Sequence, residues 1–249
     1  MKNILFPLAM VFTLSTSFHS SDGVLKGDKV KIANNSINNI SADKVESNEI
    51  FTAADVYNLI DFGSHSLNQE VFEKAFTGFE KLKKAGQLPE ETQILTVCDF
   101  SLSSNEKRLW VIDMSSNKVL FNTLVAHGKN TGEEFATQFS NTESSYQSSL
   151  GFYVTDVTYQ GSNGYSLKLL GMDKGFNDAA LKRAIVMHGA DYVSENFAAQ
   201  HQRIGRSWGC PAVPRELADS IINTIKGKNC LFIYYPDQNY LQSSEWLQS

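Results

Sequence analysis

The 249-residue chain contains few residues of several types: three cysteines, five prolines, five histidines and three tryptophans. Because the cysteine count is odd, at least one thiol stays unpaired within the chain. The net charge of −5 gives no basic surface of the kind that a nucleic-acid-binding domain needs. With 42% hydrophobic residues, the chain can nevertheless bury one sizeable core.

The N-terminus also lacks an apolar run of the roughly 20 residues that span a membrane. Lys2, the apolar run 4–14 and the small residues 15–17 have the pattern of an export signal. We predict a signal peptide over residues 1–19 and an exported protein, periplasmic or associated with the cell envelope, without stable membrane insertion after cleavage. An uncleaved anchor is the alternative. Residues 20–48, rich in Asn, Ser, Asp and Lys, predict a disordered spacer.

Helical patterns occupy residues 49–88, which we interpret as an N-terminal helical extension. Thr52 is a candidate helix cap, and apolar residues recur at helical spacing from Val71 to Leu82, before Gly86. Beyond Pro89 the apolar period changes to that of strands. Strands are predicted over residues 94–100, 109–114, 119–125, 152–158, 166–170, 184–188 and 231–235, and a late helix over 215–226. This pattern predicts a mostly β domain over residues 89–240, a sandwich or barrel with a few helices.

The segment 206–211 has the sequence Arg-Ser-Trp-Gly-Cys-Pro and places Cys210 behind a glycine in a polar stretch. Upstream, His188 ends the apolar run 184–187. A cysteine attacks as thiolate, and a neighbouring imidazole can take the proton near neutral pH. The pair therefore indicates acyl transfer through a thioester.

A small buried thiol is the alternative interpretation of any cysteine. It fits Cys98 and Cys230, which lie in strand-like runs and are either paired or buried. The polar neighbours of Cys210 instead suit a shaped loop.

These residues resemble the catalytic signature of the L,D-transpeptidase catalytic domain family, bacterial enzymes that cross-link peptidoglycan. That signature is a histidine, a spacer and Ser/Thr-His-Gly-Cys, and His188 and the segment 207–210 match it, with Trp208 in place of the second histidine. The segment 151–154, Gly-Phe-Tyr-Val, is similar to a strand start of the family. The resemblance covers residues 90–236 and is strongest to a divergent branch of secreted murein transpeptidase-like proteins. Ala212 replaces a polar residue that is usual in the family.

The resemblance implies a role for each matched residue. Cys210 would be the nucleophile, and His188 would be the general base and then the acid that protonates the leaving amine. The backbone carbonyl of Gly189 would orient the imidazole, and the amides of Gly209 and Cys210 would form the oxyanion hole. Asp191 is an alternative orienter, although a helix cap or a solvated side chain also explains an aspartate there.

Other residues are candidate substrate contacts, and each has a plainer interpretation. Arg203 and Arg206 would bind stem-peptide carboxylates or remain solvated loop charges. His127 is a rival base or a residue of a polar turn, Trp208 walls the substrate channel or anchors the loop, and Tyr165 belongs to a lid or an ordinary strand. The candidate substrate-binding residues are Arg203, Arg206, Ser207, Trp208, Tyr165 and His127.

The resemblance thus predicts an exported cysteine L,D-transpeptidase that acts on peptidoglycan stem peptides without a cofactor. An L,D-carboxypeptidase or cysteine peptidase with the same Cys/His pair is one alternative, and a non-catalytic cell-wall-binding module is another. A zinc site built from Cys210, His188 and His201 is disfavoured, because the sequence has neither a Cys-x-x-Cys pair nor a His-x-x-x-His helix.

Overall fold

The structure is a computed structural model that describes residues 51–64 and 66–248. The predicted signal peptide (1–19) and spacer (20–48) lie outside the described residues. In the part of the chain that is described, no helix has the length and apolar character to cross a membrane.

Capping residues set the start of the N-terminal helices. The side chain of Thr52 accepts a hydrogen bond from the Asp55 amide, and the Asp55 carboxylate accepts one from the Thr52 amide, which makes a capping box. Asn68 caps the next helix, which ends before Gly86 at a φ of 69°. The helices in the described residues are α1 (Ala53–Leu59), α2 (Gln69–Lys84), α3 (Glu195–His201), α4 (Arg215–Ile225) and α5 (Gln238–Ser243).

The strands of the described residues form a single eight-stranded sheet in the order β3-β2-β1-β8-β4-β5-β6-β7. Neighbouring strands are antiparallel except for the pairs β1·β8 and β6·β7, which are parallel. The strands are β1 (Ile94–Asp99), β2 (Leu109–Asp113), β3 (Lys118–Thr123), β4 (Gly151–Gly161), β5 (Gly164–Gly171), β6 (Val186–Ala190), β7 (Ala212–Pro214) and β8 (Cys230–Tyr234).

Two isolated bridges bring the ends of this sheet together. The chain leaving β3 meets β7 through the antiparallel bridge between Ala126 and Ala212, and a parallel bridge joins Gly128 to Ser207. The sheet is therefore nearly closed. This confirms the predicted mostly β, barrel-like fold with a few helices.

The main core lies where β4, β8 and helix α2 pack together. The rings of Phe152 and Phe232 stack with centroids 4.2 Å apart, and Phe72 and Phe79 of α2 are fully buried in the same cluster. α2 can approach β4 closely because residue 78 is glycine: a Cβ atom there would lie 2.0 Å from the Phe152 ring. The apolar stripe predicted for this helix therefore serves core packing.

Three elements depart from the sequence-based prediction. Strand β7 is only three residues long, α3 buries no side chain completely, and α5 follows the last predicted strand. Such short elements carry too few residues to show a period. The structure also answers the open question on the other thiols, since Cys98 and Cys230 are both free and buried in β1 and β8.

We predict that Gly78→Ala destabilises the protein. Alanine favours a helix over glycine by about 1 kcal/mol, but the added methyl group displaces the packed Phe152 ring, and overpacking of this kind costs about 1–3 kcal/mol. Urea unfolding should show a lower free energy of unfolding for Gly78→Ala. Glu80→Ala, at an exposed position of the same helix, should unfold close to the unsubstituted protein. Increased stability of Gly78→Ala would contradict the tight approach of α2 to β4.

Candidate active site

The parallel pair β6·β7 positions the two residues of the predicted catalytic pair. His188 of β6 is in register with Ala212 of β7, and Cys210 precedes Ala212 by two residues on the same path. Successive side chains in a strand point to opposite faces, so His188 points away from Met187, which packs in the main core. The topology thus brings His188 and the segment 206–211, which we call the cysteine loop, to the same edge of the sheet.

The Cys210 side chain is half-buried and lies against the chain that enters β6. Its thiol donates a long hydrogen bond, with 3.8 Å between Sγ and the carbonyl oxygen of Ala184. Burial raises the pKa of this thiol, while a hydrogen bond from the Val186 backbone and the positive charge of Arg183 act in the opposite direction. The resting sulfur is therefore a thiol whose ionised form has two partial stabilisers.

The His188 side chain is buried, with 4% of its surface exposed, and its tautomer is set by one backbone contact. Nδ1 lies 3.1 Å from the carbonyl oxygen of Gly189, which can only accept, so Nδ1 carries the proton. Nε2 is then left as a proton acceptor. Burial lowers the pKa of His188, the contact with Gly189 raises it, and the charge of Arg215 lowers it.

The loop before Cys210 is held by its own serine. Ser207 accepts a hydrogen bond from the Gly209 amide at 3.0 Å and donates one to the Cys210 carbonyl at 2.6 Å. Gly209 adopts a φ of 121°, and a Cβ atom there would lie 2.7 Å from the carbonyl oxygen of Gln147. Ser148 donates to the Gly209 carbonyl at 3.2 Å. A larger residue at position 209 would therefore displace the loop that carries Cys210.

The two amides expected to form an oxyanion hole differ in availability. The amide of Gly209 is already bonded to Ser207, whereas that of Cys210 makes no hydrogen bond to any described residue. The Cys210 amide is therefore the donor that is free in this conformation.

Arg203 and Arg206 share a carboxylate from another loop. Arg206 lies 2.7 Å and Arg203 lies 3.0 Å from the two oxygens of Glu133. Arg206 also donates to the carbonyls of Lys129 and Gly132. The two arginines thus join the cysteine loop to the loop after β3, and an incoming carboxylate would compete with Glu133.

Trp208 lies on the surface, with 72% of its side chain exposed. Its ring contacts that of Tyr146 edge-on, with centroids 5.5 Å apart. The ammonium group of Lys129 lies over the other ring, 4.4 Å from the Tyr146 centroid. The tryptophan is therefore an accessible aromatic side chain on the cysteine loop and does not fill the core.

His127 lies beneath the site and is fully buried. Nδ1 accepts a hydrogen bond from Arg108 at 2.8 Å, and Nε2 lies 3.2 Å from the carbonyl oxygen of Gly132. Because both ring nitrogens are engaged, His127 has none left for a thiol or a substrate. Its backbone carbonyl accepts a hydrogen bond from the Ser207 amide at 2.9 Å, so it supports the cysteine loop.

The remaining candidates lie in ordinary structural contacts. The hydroxyl of Tyr165 donates to Asn223 of α4 at 2.9 Å, so this tyrosine ties β5 to a helix. Asp191 forms an exposed ion pair with Arg215 at 2.9 Å, and the imidazole of His188 is bonded to Gly189 instead. Among the described residues, no three His, Cys, Asp or Glu side chains are grouped as ligands of a metal ion.

Sequence reasoning missed Arg183, which lies next to the cysteine loop. Its guanidinium group donates to Gln147 and Ser149, and its terminal nitrogen would be 3.4 Å from a Cβ atom on Gly209. The available signal was its position five residues before His188, in the turn that leads into β6. Nothing in the residue pattern showed that this turn folds against the loop before β4.

The family model for the L,D-transpeptidase catalytic domain matches residues 63–234, most of the chain. The chain belongs to the L,D-transpeptidase catalytic domain family. The match includes His188, Cys210 and all eight strands of the sheet. It confirms the resemblance drawn from the cysteine and histidine motifs. No curated protein matches the chain.

Solved structures of L,D-transpeptidases are also similar to this family member. An L,D-transpeptidase from Mycobacterium smegmatis is 10% identical with a TM-score of 0.36, and the alignment covers 58% of this chain and 59% of that one. One from Mycobacterium tuberculosis is 14% identical with a TM-score of 0.35, covering 58% of each chain. The helical cell shape determining protein from Campylobacter jejuni is 11% identical with a TM-score of 0.39, covering 60% and 49%. The alignments thus cover less than two thirds of each of these proteins.

The buried pair of His127 and Arg108 predicts a loss of stability in mild acid for this L,D-transpeptidase-family domain. Burial, and then the charge of Arg108, lowers the pKa of His127 to about 4, against 6.5 for an ordinary histidine. The unfolded chain therefore binds the proton first, and the stability contributed by neutral His127 is lost as the pH falls from 6.5 towards 4. The full difference amounts to about 3 kcal/mol.

Urea unfolding at pH 7.0 and pH 5.0 measures this effect. His127→Gln should flatten the dependence, because glutamine can still bond Arg108 and Gly132 but does not titrate. The carboxyl of Asp173, whose pKa burial raises to about 6, acts in the opposite direction and is common to all variants. His201→Gln, which removes an exposed histidine, should keep the full dependence. Identical slopes for the His127→Gln variant and the unsubstituted protein would refute the assignment.

Proposed function

We propose that the chain is an exported cysteine L,D-transpeptidase that acts on peptidoglycan stem peptides through a thioester. The observation that carries this proposal is the placement of Cys210 and His188 at one edge of the sheet by the register of β6 and β7. Membership of the L,D-transpeptidase catalytic domain family supports the substrate class and a cell-envelope location. The predicted signal over residues 1–19 supplies the route of export.

The steps follow from the two side chains. Nε2 of His188 takes the proton of the Cys210 thiol as the sulfur attacks the carbonyl carbon of the third residue of a tetrapeptide stem. The resulting oxyanion collapses to a thioester, and the C–N bond to the terminal D-alanine breaks as His188 returns the proton to the leaving amine. An amine from a neighbouring stem then attacks the thioester and restores the thiol.

The directions of the two pKa shifts determine which form of the pair is at rest. Burial raises the pKa of Cys210 and lowers the pKa of His188, so both shifts favour the neutral thiol and the neutral imidazole over an ion pair. The histidine would therefore act as a base during the attack. Gly189 would hold its ring in the tautomer that leaves Nε2 unprotonated.

The oxyanion would bind first to the Cys210 amide, which is free in this conformation. The Gly209 amide would join it once its hydrogen bond to Ser207 opens. Trp208 offers an exposed aromatic wall for the stem, whereas the two arginines would act on the loop through Glu133. Ser207 would shape this site without direct contact to the peptide.

We predict that the described domain converts a disaccharide-tetrapeptide into a cross-linked dimer with release of D-alanine. The products are followed by mass spectrometry. Cys210→Ala should abolish conversion because it removes the proposed nucleophile, and Cys98→Ala should retain it because Cys98 is buried away in β1. A tripeptide alone would replace the transpeptidase assignment with a carboxypeptidase. Unchanged substrate would favour a wall-binding module and refute the enzymatic proposal.

Acylation by a carbapenem should depend on pH through His188. The base must be neutral, so the rate should fall as the pH drops through the pKa of His188, which burial places below 6.5. His188→Gln should remove this acidic limb and slow acylation by about a hundredfold or more. The adduct is measured by intact mass, with His201→Gln as the exposed-histidine control. An unchanged profile in His188→Gln would assign the base to another group.

A further inference from the structure

Arg183 is a half-buried cation without a carboxylate partner in the described part of the chain. Its guanidinium group is fixed by neutral oxygens only. Nη1 donates to the carbonyl of Ser140 and to the hydroxyl of Ser149. Nη2 donates to the carbonyl of Gln147 at 2.6 Å and to the hydroxyl of Ser145 at 3.2 Å. The positive charge is thus held rigidly and left uncompensated.

The guanidinium group of Arg183 lies beside the loop that carries Cys210. A Cβ atom on Gly209 would lie 3.4 Å from Nη2 of Arg183 and 2.7 Å from the carbonyl oxygen of Gln147, to which Arg183 donates. The next residue along the chain, Ala184, has a φ of 53° and accepts the hydrogen bond of the Cys210 thiol. Arg183 and the sulfur are therefore held by the same short turn.

The other arginines near the loop each lie against a carboxylate. Arg203 and Arg206 share Glu133, and Arg215 pairs with Asp191. A cation that already has a carboxylate contributes little field to a third group, whereas an unpaired one in a partly buried site contributes strongly.

We propose that Arg183 is the counter-charge of the Cys210 thiolate, a positioning residue that stabilises the ionised nucleophile without touching the peptide. The inference builds on the proposed cysteine chemistry. A buried thiol opposite a neutral imidazole ionises with difficulty, and a fixed guanidinium nearby lowers that cost by attraction to the forming thiolate.

Within the described part of the chain, the titratable and charged groups that interact with Cys210 or with His188 are Tyr192, Arg183 and Arg215. His188 lies on β6, Tyr192 follows β6 and interacts electrostatically with the thiol, and Arg183 precedes β6. Arg215 of α4 acts on both His188 and Tyr192. Of these, only Arg183 is an unpaired cation, so its removal should change the ionisation of Cys210 in one direction.

The test is the pH dependence of alkylation of Cys210 by iodoacetamide, which reacts with the thiolate and needs no peptidoglycan. Cys98 and Cys230 are fully buried, so intact mass and peptide mapping follow one site. In Arg183→Met the midpoint of the rate profile should rise by about one pH unit, which is the effect of removing an opposite charge near an ionising group. Arg183→Lys keeps the charge, so its midpoint should return most of the way to that of the unsubstituted protein.

Lys182→Met is the matched control, because it removes a positive charge from the neighbouring residue. The Lys182 side chain is exposed and pairs with Glu143. Its midpoint should equal that of the unsubstituted protein. Equal midpoints for Arg183→Met and Lys182→Met, with both folded by circular dichroism, would overturn the proposal. If Arg183→Met does not fold, Arg183→Gln takes its place, because glutamine removes the charge and keeps a hydrogen-bond donor: a midpoint raised by about one pH unit supports the proposal, and an unchanged midpoint overturns it.

Alkylation and transpeptidation separate the two proposals. A shifted alkylation profile in Arg183→Met, combined with no conversion of stem peptide by the unsubstituted protein, would keep the counter-charge and reject the enzyme. Conversion of stem peptide without any alkylation shift would keep the enzyme and reject the role of Arg183.

Discussion

The parallel pairing of β7 with β6 is the constraint on which the candidate site depends. Ala212 is in register with His188 on one side and bridges to Ala126 on the other, so this residue joins the site to the end of the barrel-like sheet. Its side chain is completely buried in a small apolar cluster with Leu124 and Ala190. A polar side chain at this position would need a buried hydrogen-bond partner, which explains why alanine is compatible with the closed sheet here.

Closure of the sheet also organises the electrostatics. The bridge between Gly128 and Ser207 brings the loop after β3 under the cysteine loop, and this loop carries Glu133, whose carboxylate pairs with both Arg203 and Arg206. Buried beneath it, Arg108 donates to neutral oxygens and to His127, which remains uncharged. Arg203 and Arg206 thereby share one counter-charge, whereas Arg183, whose charge acts on the Cys210 thiol, has no carboxylate partner among the described residues.

The sequence predicts those elements of the fold in which the apolar pattern continues over many residues. The strands of the sheet from β1 to β6 and β8, and the helices α2 and α4, match the predicted bounds within a few residues, because alternation or helical spacing persists over five or more residues. For α1, the predicted cap Thr52 is the residue at which the helix begins. Strand β7 was missed, since three residues that end at Pro214 show no alternation. Its pairing is decided by long-range closure with β6, which no local pattern records.

For the candidate site, the motif predicts residues but not their contacts. Cys210 and His188 are predicted from their neighbours in sequence, whereas the pairing of the arginines with Glu133 depends on residues 70 and 73 positions apart. Arg183 was missed for the same reason: its partners lie on the segment before β4, and the sequence between them gives no sign of the contact.

The substitution of Trp208 for a histidine can be judged from where its side chain points. The indole is exposed and rests against Tyr146, while the backbone amide of the next residue is fixed by Ser207. A side chain in this orientation is not required to orient the imidazole of His188, because that ring is held by the carbonyl of Gly189. The departure therefore alters the surface that a peptide would meet and leaves the arrangement of thiol and imidazole to the backbone of β6 and β7.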